Sequence, residues 1–190
     1  MAGAVLAVAA DVIKRLAWLL ALRKWCWIAA LGGIAVVHPA AHADVPAQEL
    51  KAKVIVRALL FAQWPATVLQ PGQTLVMCLA EDHPLAAAIA PQEGQMINGH
   101  RLQLRHGAAD PSKQCHVVLV GPKERAPMAE RRQGLLRVGD VPGGLKDDVM
   151  VNVEIELGRV VFDVNLKAAR ENGLDIDTRL LRLARFVQQD

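Results

Sequence analysis

The chain has 190 residues, no tyrosine and a formal net charge of +3. Residues 1–43 account for all of that excess, because they contain four basic residues and a single acidic one. Residues 44–190 are therefore formally neutral and are long enough for one domain with one core. A neutral domain without a basic patch argues against nucleic acid as a partner.

Residues 1–43 are predicted to be an export signal peptide. Residues 25–37 form an uncharged run of 13 residues, shorter than the roughly 20 apolar residues that span a bilayer. Arg23 and Lys24 precede this run, and Ala41-His42-Ala43 follows it as a small-residue cleavage site. Cleavage after Ala43 would make Asp44 the first residue of a periplasmic domain without a membrane span. An uncleaved membrane anchor is the alternative.

The first element predicted after the cleavage site is a helix at residues 48–64. Leu50, Val54, Ala58 and Phe61 recur at helical spacing and predict its buried face. Pro65 ends the helix, because the residue before a proline leaves the helical region.

The middle of the chain alternates strands and helices. Residues 74–80 and 115–121 are short apolar runs typical of buried parallel strands, and residues 135–139 predict a third. Residues 102–105 alternate between apolar and polar, as a more exposed strand does. Helices are predicted at residues 84–90, where proline stands in the first turn, and at residues 123–133.

The C-terminal part begins with a predicted β-hairpin, in which residues 149–157 pair with residues 160–164. Residues 166–172 predict a short helix closed by Gly173, and residues 176–189 a terminal helix capped by Asp175 or Asp177. The fold class that follows is α/β, with a mixed, mostly parallel sheet flanked by helices, a C-terminal β-hairpin and a terminal helix. Residues 44–190 are predicted to form this single domain.

Two stretches are candidate partner-binding surfaces. The end of the first helix includes a tryptophan, which is a common binding anchor. Its candidate residues are Phe61, Gln63, Trp64 and Pro65. The terminal helix would present a basic stripe suited to an acidic partner or to lipid head groups, formed by Arg179, Arg182 and Arg185. The alternatives are that the aromatic residues belong to the core and that the arginines form a solvated face.

Residues 44–190 hold no pattern typical of an enzyme, a metal site or a cofactor site. The only serine, Ser112, stands in a turn sequence rather than in the strand-to-helix elbow of a nucleophile. The histidines lack the i, i+4 spacing of a zinc helix, and no Cys-x-x-Cys occurs. Glu81-Asp82-His83-Pro84 follows the first buried strand. An acidic start to the next helix is the favoured interpretation of this segment, and a small-ligand site is the other.

Cys78 and Cys115 are the two cysteines after residue 43. An even count in an exported domain predicts a disulfide between them. On the chain-entropy model, such a bridge would stabilise the fold by roughly 4 kcal/mol. Two reduced, buried thiols are the alternative.

A series of short segments runs in order along residues 48–187. They are ELKA at residues 49–52, FAQWP at 61–65, DHPL at 82–85, CHVV at 115–118, LLRVGD at 135–140, RVVFDVNLKAA at 159–169 and GLDIDTRLLRLA at 173–184. Together they resemble the YfiR-like family. The chain departs from that pattern at Asp147-Asp148, where relatives usually carry two glycines. It also lacks the second cysteine pair of some relatives.

The resemblance implies a periplasmic regulator rather than an enzyme, and it implies no cofactor. Such a regulator binds the periplasmic sensor domain of an inner-membrane diguanylate cyclase and represses cyclic di-GMP synthesis. A second copy of the chain is a further candidate partner. The alternative function is a periplasmic ligand-binding module that serves a sensor kinase or a transporter, which a sizeable apolar pocket would favour.

Overall fold

The computed structural model describes residues 44–107, 114–122, 132–142 and 144–190. The expectations for the signal peptide and for Ser112 lie outside these ranges, as does most of the helix predicted at residues 123–133. The α-helices in these ranges are α1 (Asp44–Leu59), α2 (Ala86–Ile89), α3 (Leu166–Glu171) and α4 (Thr178–Leu181). Short 3-10 helices occur at Ala90–Gln92 and Gly144–Asp147. No helix in the described part of the chain is both long and apolar enough to cross a membrane.

The strands form one large sheet and one small one. They are β1 (Ala62–Gln63), β2 (Leu75–Leu79), β3 (Met96–Ile97), β4 (His100–His106), β5 (Val117–Val120), β6 (Leu136–Gly139), β7 (Val151–Glu156), β8 (Arg159–Asn165), β9 (Asp175–Ile176) and β10 (Phe186–Gln188). The large sheet has the order β10-β8-β7-β6-β5-β2-β4-β3, and β1 pairs with β9 in the small sheet.

The large sheet is mixed and mostly parallel, so the predicted fold class is confirmed. Strands β4, β2, β5, β6 and β7 run parallel to one another. At one end β8 returns antiparallel to β7, and β10 runs parallel to β8, whereas β3 pairs antiparallel with β4 at the other end. Every residue of β2, β5 and β6 is buried, as expected for central strands that are covered on both faces.

Helix α1 packs on one face of the large sheet, and its predicted buried face is confirmed in part, because Ala58 is buried and Val54 and Phe61 pack against the core. Its buried residues include Ala52, Ile55, Val56 and Leu59, which follow the i, i+3, i+4, i+7 spacing of a packed face. Leu50, expected in the core, is 47% exposed. Apolar residues occur around most of this helix, so the sequence pattern alone leaves the rotation of the helix open, and contact with the sheet decides it.

The first helix also ends earlier than predicted. It stops at Leu59, and the next residues turn into β1, which pairs antiparallel with β9. Pro65 therefore does not end the helix directly. The pairing of Ala62 with Ile176 takes the chain out of the helical conformation first.

The terminal helix predicted at residues 176–189 is wrong in its extent. The Asp177 side chain caps the start of α4 by accepting a hydrogen bond from the Arg179 amide, and the helix ends after one turn. The chain then forms β10 against the open edge of β8, and the Arg185 amide donates to the Phe162 carbonyl. Pairing with a sheet edge satisfies backbone groups that a helix would otherwise satisfy internally, and here it replaces the helix.

Candidate functional site

The two predicted partner-binding stretches meet at one corner of the domain. Pairing of β1 with β9 brings Phe61 next to the start of α4, and the Asp177 amide donates a 2.9 Å hydrogen bond to the Phe61 carbonyl. The guanidinium of Arg179 lies over the Phe61 ring, with its Cζ 5.5 Å from the ring centroid. We call the surface formed by Phe61, Gln63, Trp64, Pro65 and Arg179 the corner site.

Arg179 is oriented at the corner site by its neighbour Asp177. Its Nη2 and Nε lie 2.6 and 3.0 Å from Asp177 Oδ2. Hydrogen bonds from the side chain and the amide of Arg179 lower the pKa of Asp177 to about 2. The Arg179 side chain remains 73% exposed. The corner site therefore presents a cation that is already held in position and still accessible to a partner.

The aromatic residues of the corner site are only partly accessible. Phe61 and Trp64 are half-buried and pack against the main core. The indole Nε1 of Trp64 is buried and has no hydrogen-bond partner among the described residues. Gln63 is exposed and Pro65 is half-buried. Trp64 thus supports the corner from beneath, whereas Gln63 and Arg179 form its accessible surface.

The three arginines of the expected basic stripe do not share one helix face. Arg182 is exposed and stands at the C-terminal cap of α4. Arg185 lies beyond the helix and binds three carboxylates of the hairpin, with Nη2 3.0 Å from Glu154, Nη1 3.2 Å from Glu156 and Nε 2.9 Å from Asp163. These hydrogen bonds raise the pKa of Arg185 above its usual value. Arg185 therefore ties β10 to the sheet.

A disulfide joins Cys78 of β2 to Cys115, which stands just before β5. The two Cα atoms are 5.9 Å apart. Both cysteines are buried in a second apolar cluster that also contains Val76, Val118 and Leu135. The bridge therefore links two neighbouring central strands.

His116 follows the second cysteine and holds the start of β2. Its Nδ1 accepts a 3.1 Å hydrogen bond from the Val76 amide, and its own amide donates to the Val76 carbonyl at 2.9 Å. Burial lowers the pKa of the His116 imidazole, and the positive charge of Arg132 lowers it further. A neutral imidazole is needed here, because protonated Nδ1 could not accept the hydrogen bond.

A cleft of about 460 Å³ opens at the carboxyl ends of the parallel strands. Pro84, from the segment considered as a ligand site, lines it together with Pro122 and Pro142. His83 itself is buried and lies against Gly121, where an added Cβ would come within 3.0 Å of the imidazole. The sequence analysis did not predict this cleft. A proline shortly after each of three core strands could have indicated it. Within the described residues, no group of three or more histidine, cysteine, aspartate or glutamate residues could hold a metal ion.

Comparison with known proteins identifies a family. The model of a family described as YfiR/HmsC-like matches residues 48–185. The matched segment contains the corner site, the disulfide and the central strands. A search of the curated proteins found no match.

Proposed function

This chain belongs to the YfiR/HmsC-like family, and we propose on that basis that it is a periplasmic regulator of an inner-membrane diguanylate cyclase. It binds the periplasmic sensor domain of the cyclase and represses cyclic di-GMP synthesis. The observation that carries this proposal is the family match, which extends from α1 to Arg185. The same match supports a regulator rather than an enzyme and a periplasmic location.

Repression would work by population shift. A regulator that binds the inactive state of the sensor domain more tightly than the active state moves the equilibrium toward inactivity. The size of the effect is limited by the ratio of the two affinities. A ratio of about 10⁴ moves an equilibrium from 1:99 to 99:1. Any signal that weakens binding then restores synthesis.

The corner site is the proposed docking face for the cyclase. Binding hot spots are enriched in arginine and aromatic residues, and the corner site presents Arg179 stacked on Phe61 beside Gln63. Asp177 holds the Arg179 side chain in place before binding, which reduces the conformational entropy lost on association. An acidic or carbonyl-rich surface on the sensor domain would complement it. Arg182, exposed one helical turn further on, would extend the same surface.

The proposal is tested by deleting the gene and measuring cellular cyclic di-GMP. The nucleotide should rise in the deletion strain and fall again when the wild-type protein is supplied from a plasmid. Unchanged nucleotide, with an inner-membrane cyclase verified to be expressed, would contradict the proposal. Mass spectrometry of the exported protein tests the signal peptide, since cleavage after Ala43 leaves Asp44 as the first residue.

The cleft at the carboxyl edge of the sheet favours a second candidate function, a periplasmic ligand-binding module that serves a sensor kinase or a transporter. The two functions differ in the membrane partner. Crosslinking in intact cells, followed by mass spectrometry of the captured protein, should identify a cyclase under the first function. It should identify a kinase or a transporter under the second.

A further inference from the structure

The end of the β7–β8 hairpin carries a fully exposed leucine. Glu156 at the end of β7 pairs with Arg159 at the start of β8, so the connecting loop is only Leu157-Gly158. Leu157 is 97% exposed. Among the described residues it belongs to neither of the two apolar clusters. Its side chain therefore adds no buried surface that would stabilise the fold.

The backbone of this loop disfavours leucine as well. Both loop residues have positive φ angles, +50° at Leu157 and +76° at Gly158, as in a type I′ turn. Asparagine, aspartate or glycine usually occupies the first position of such a turn, because a larger side chain at positive φ clashes with its own backbone. Leu157 thus stands where neither solvation nor backbone geometry favours it. An exposed residue held in a strained conformation points to a functional role.

The hairpin beneath this loop is held firmly in place. Six residue pairs join β7 and β8, from Val151–Val164 at the base to Glu156–Arg159 at the loop. Arg185 donates hydrogen bonds to carboxylates on both strands, including that of Glu156 beside the loop. The loop is therefore positioned before a partner arrives, which reduces the conformational entropy lost on binding.

Two neighbours extend the surface around Leu157. Ile155 is 43% exposed and pairs with the half-buried Val160 of β8. Arg159 is exposed, and within the part of the chain that the structure describes its side chain forms no hydrogen bond or ion pair. We call the surface formed by Ile155, Leu157 and Arg159 the hairpin tip. It presents apolar side chains beside an unpaired cation.

The hairpin tip suits a pocket on a protein better than the surface of a membrane. Even a myristoyl chain, with about 14 carbons, gives only marginal and reversible membrane binding, and a leucine side chain is far smaller. Attraction to acidic lipids requires a basic cluster, whereas Arg159 stands opposite the carboxylate of Glu156. A single leucine is effective only where it fills a preformed apolar pocket. Arg159 would complement a carboxylate at the rim of that pocket.

We propose that the hairpin tip is a second contact with the cyclase. Leu157 fills an apolar pocket on the periplasmic sensor domain, and Arg159 binds a carboxylate at the rim of the pocket. This inference rests on the proposed function, and it adds a partner surface built from other residues than the corner site.

The proposal implies that one substitution changes stability and binding in opposite directions. Leu157→Asn introduces a residue that the turn favours, so the Tm should rise by about 2–4 °C. The same change removes the apolar side chain and should weaken binding to the cyclase by at least about tenfold. A residue with a purely structural role would not raise the Tm and weaken binding when replaced.

The test measures binding of the exported protein to full-length cyclase held in lipid nanodiscs. Empty nanodiscs of the same lipid measure binding to the membrane alone. Leu157→Met keeps an apolar side chain and should bind nearly as tightly as the wild type. Arg159→Ala should weaken binding by about two- to fivefold, and this effect should shrink at high salt. Arg170→Ala, which removes an exposed arginine of α3, is the matched control and should bind normally.

The possible failures are distinguishable. If the wild type does not bind cyclase nanodiscs, both this inference and the proposed function are wrong. If the wild type binds and Leu157→Asn binds equally well, the hairpin tip alone is excluded and the regulator remains. A lower Tm in Leu157→Asn would also overturn the inference, because leucine would then have a structural role.

Two further results would assign the hairpin tip to another occupant and so overturn the inference. Equal binding of the wild type to empty nanodiscs would identify lipid as the surface that it contacts. Analytical ultracentrifugation of the wild type and Leu157→Asn examines a second copy of the chain. Loss of self-association in the variant, with cyclase binding unchanged, would make the hairpin tip a contact between two copies.

Discussion

The Arg179 guanidinium lies over the ring of Phe61, although the two residues come from opposite ends of the domain sequence. The contact exists because β1 and β9 pair and because Asp177 holds Arg179 in position. An exposed cation–π pair of this kind contributes about 0.5–1 kcal/mol. That value is too small to explain the fold, so the importance of the pair lies in the surface that it presents.

Replacing Arg179 by alanine should weaken binding to the sensor domain of the cyclase by at least about tenfold and leave the Tm nearly unchanged. The side chain is mostly exposed, so its loss costs little stability, whereas arginine is a frequent hot-spot residue. A pull-down and a thermal melt on the same protein measure both effects. Arg170→Ala, exposed at the end of α3, is the matched control and should bind normally. Equal binding by the two variants would remove Arg179 from the docking face.

Replacing Trp64 by alanine should lower the free energy of unfolding by about 2–3 kcal/mol, less than a fully buried tryptophan would cost. The residue is half-buried and packs against the main core. Trp64→Phe should cost less than about 1 kcal/mol, because it keeps an aromatic ring and removes an N–H that has no partner in the described structure. Urea denaturation measures both values. If Trp64→Ala melts as the wild type does but no longer binds, Trp64 is a contact residue and not a support.

Loss of the Cys78–Cys115 bridge should lower stability by about 2–5 kcal/mol. Cys78→Ser and Cys115→Ser should show similar losses, since either change opens the same loop. The double variant Cys78→Ala/Cys115→Ala controls for the buried hydroxyl that serine introduces. In protein isolated without reductant both thiols should resist alkylation until a reductant is added, and free alkylation would disprove the bridge.

Stability should fall in mild acid through His116. Folding lowers the pKa of the His116 imidazole below its value of 6.5 in the unfolded chain. As the pH falls below 6.5, the unfolded chain therefore takes up a proton on His116 before the folded chain does, and this favours unfolding. The stability is therefore complete above pH 6.5 and is lost as the pH falls through the folded pKa. Besides burial, the charges of Arg132, His100 and Arg105 lower the pKa of His116, whereas a hydrogen bond with the Val68 backbone raises it and only partly offsets them.

Denaturation of His116→Asn between pH 8 and pH 5 checks this expectation. The variant should be less stable at pH 8, where the hydrogen bond to the Val76 amide is formed in the wild type. It should also depend less on pH than the wild type does. An identical pH dependence in the two proteins would assign the acid sensitivity to other groups.

Replacing Arg185 by alanine should destabilise the domain by about 1–2 kcal/mol, discounted for the partial exposure of the cluster. The change leaves Glu154, Glu156 and Asp163 close together without their shared cation. Hydrogen exchange should show faster opening of β10 in particular. Arg182→Ala is the matched control and should change stability by less than about 0.5 kcal/mol. Equal exchange of β10 in both variants would mean that strand pairing alone holds the C-terminus.

The central strands could be predicted from sequence because their burial leaves a local signal. β2 and β5 are short runs of apolar residues bounded by turn residues, and burial on both faces favours that pattern, which β6 follows except at the buried Arg137. The hairpin of β7 and β8 was likewise predicted, but the expected solvated face is wrong: the strand ends away from the turn are buried on both faces, and exposure is confined to the end near the turn. The family pattern, carried by segments along nearly the whole domain, was also present in the sequence itself.

Tertiary structure decided the remaining features, because each depends on a partner that is distant in sequence. The segment at residues 186–188 has helical periodicity, but the free edge of β8 and the carboxylates around Arg185 make it a strand. The rotation of α1 depends on the sheet beneath it, so Leu50 is exposed while Ile55 is buried. The corner site requires β1 to pair with β9, and the cleft requires four strand ends to meet. A local sequence pattern indicates whether each residue is buried or exposed. These arrangements depend instead on contacts between residues distant in sequence, which form only when the chain folds.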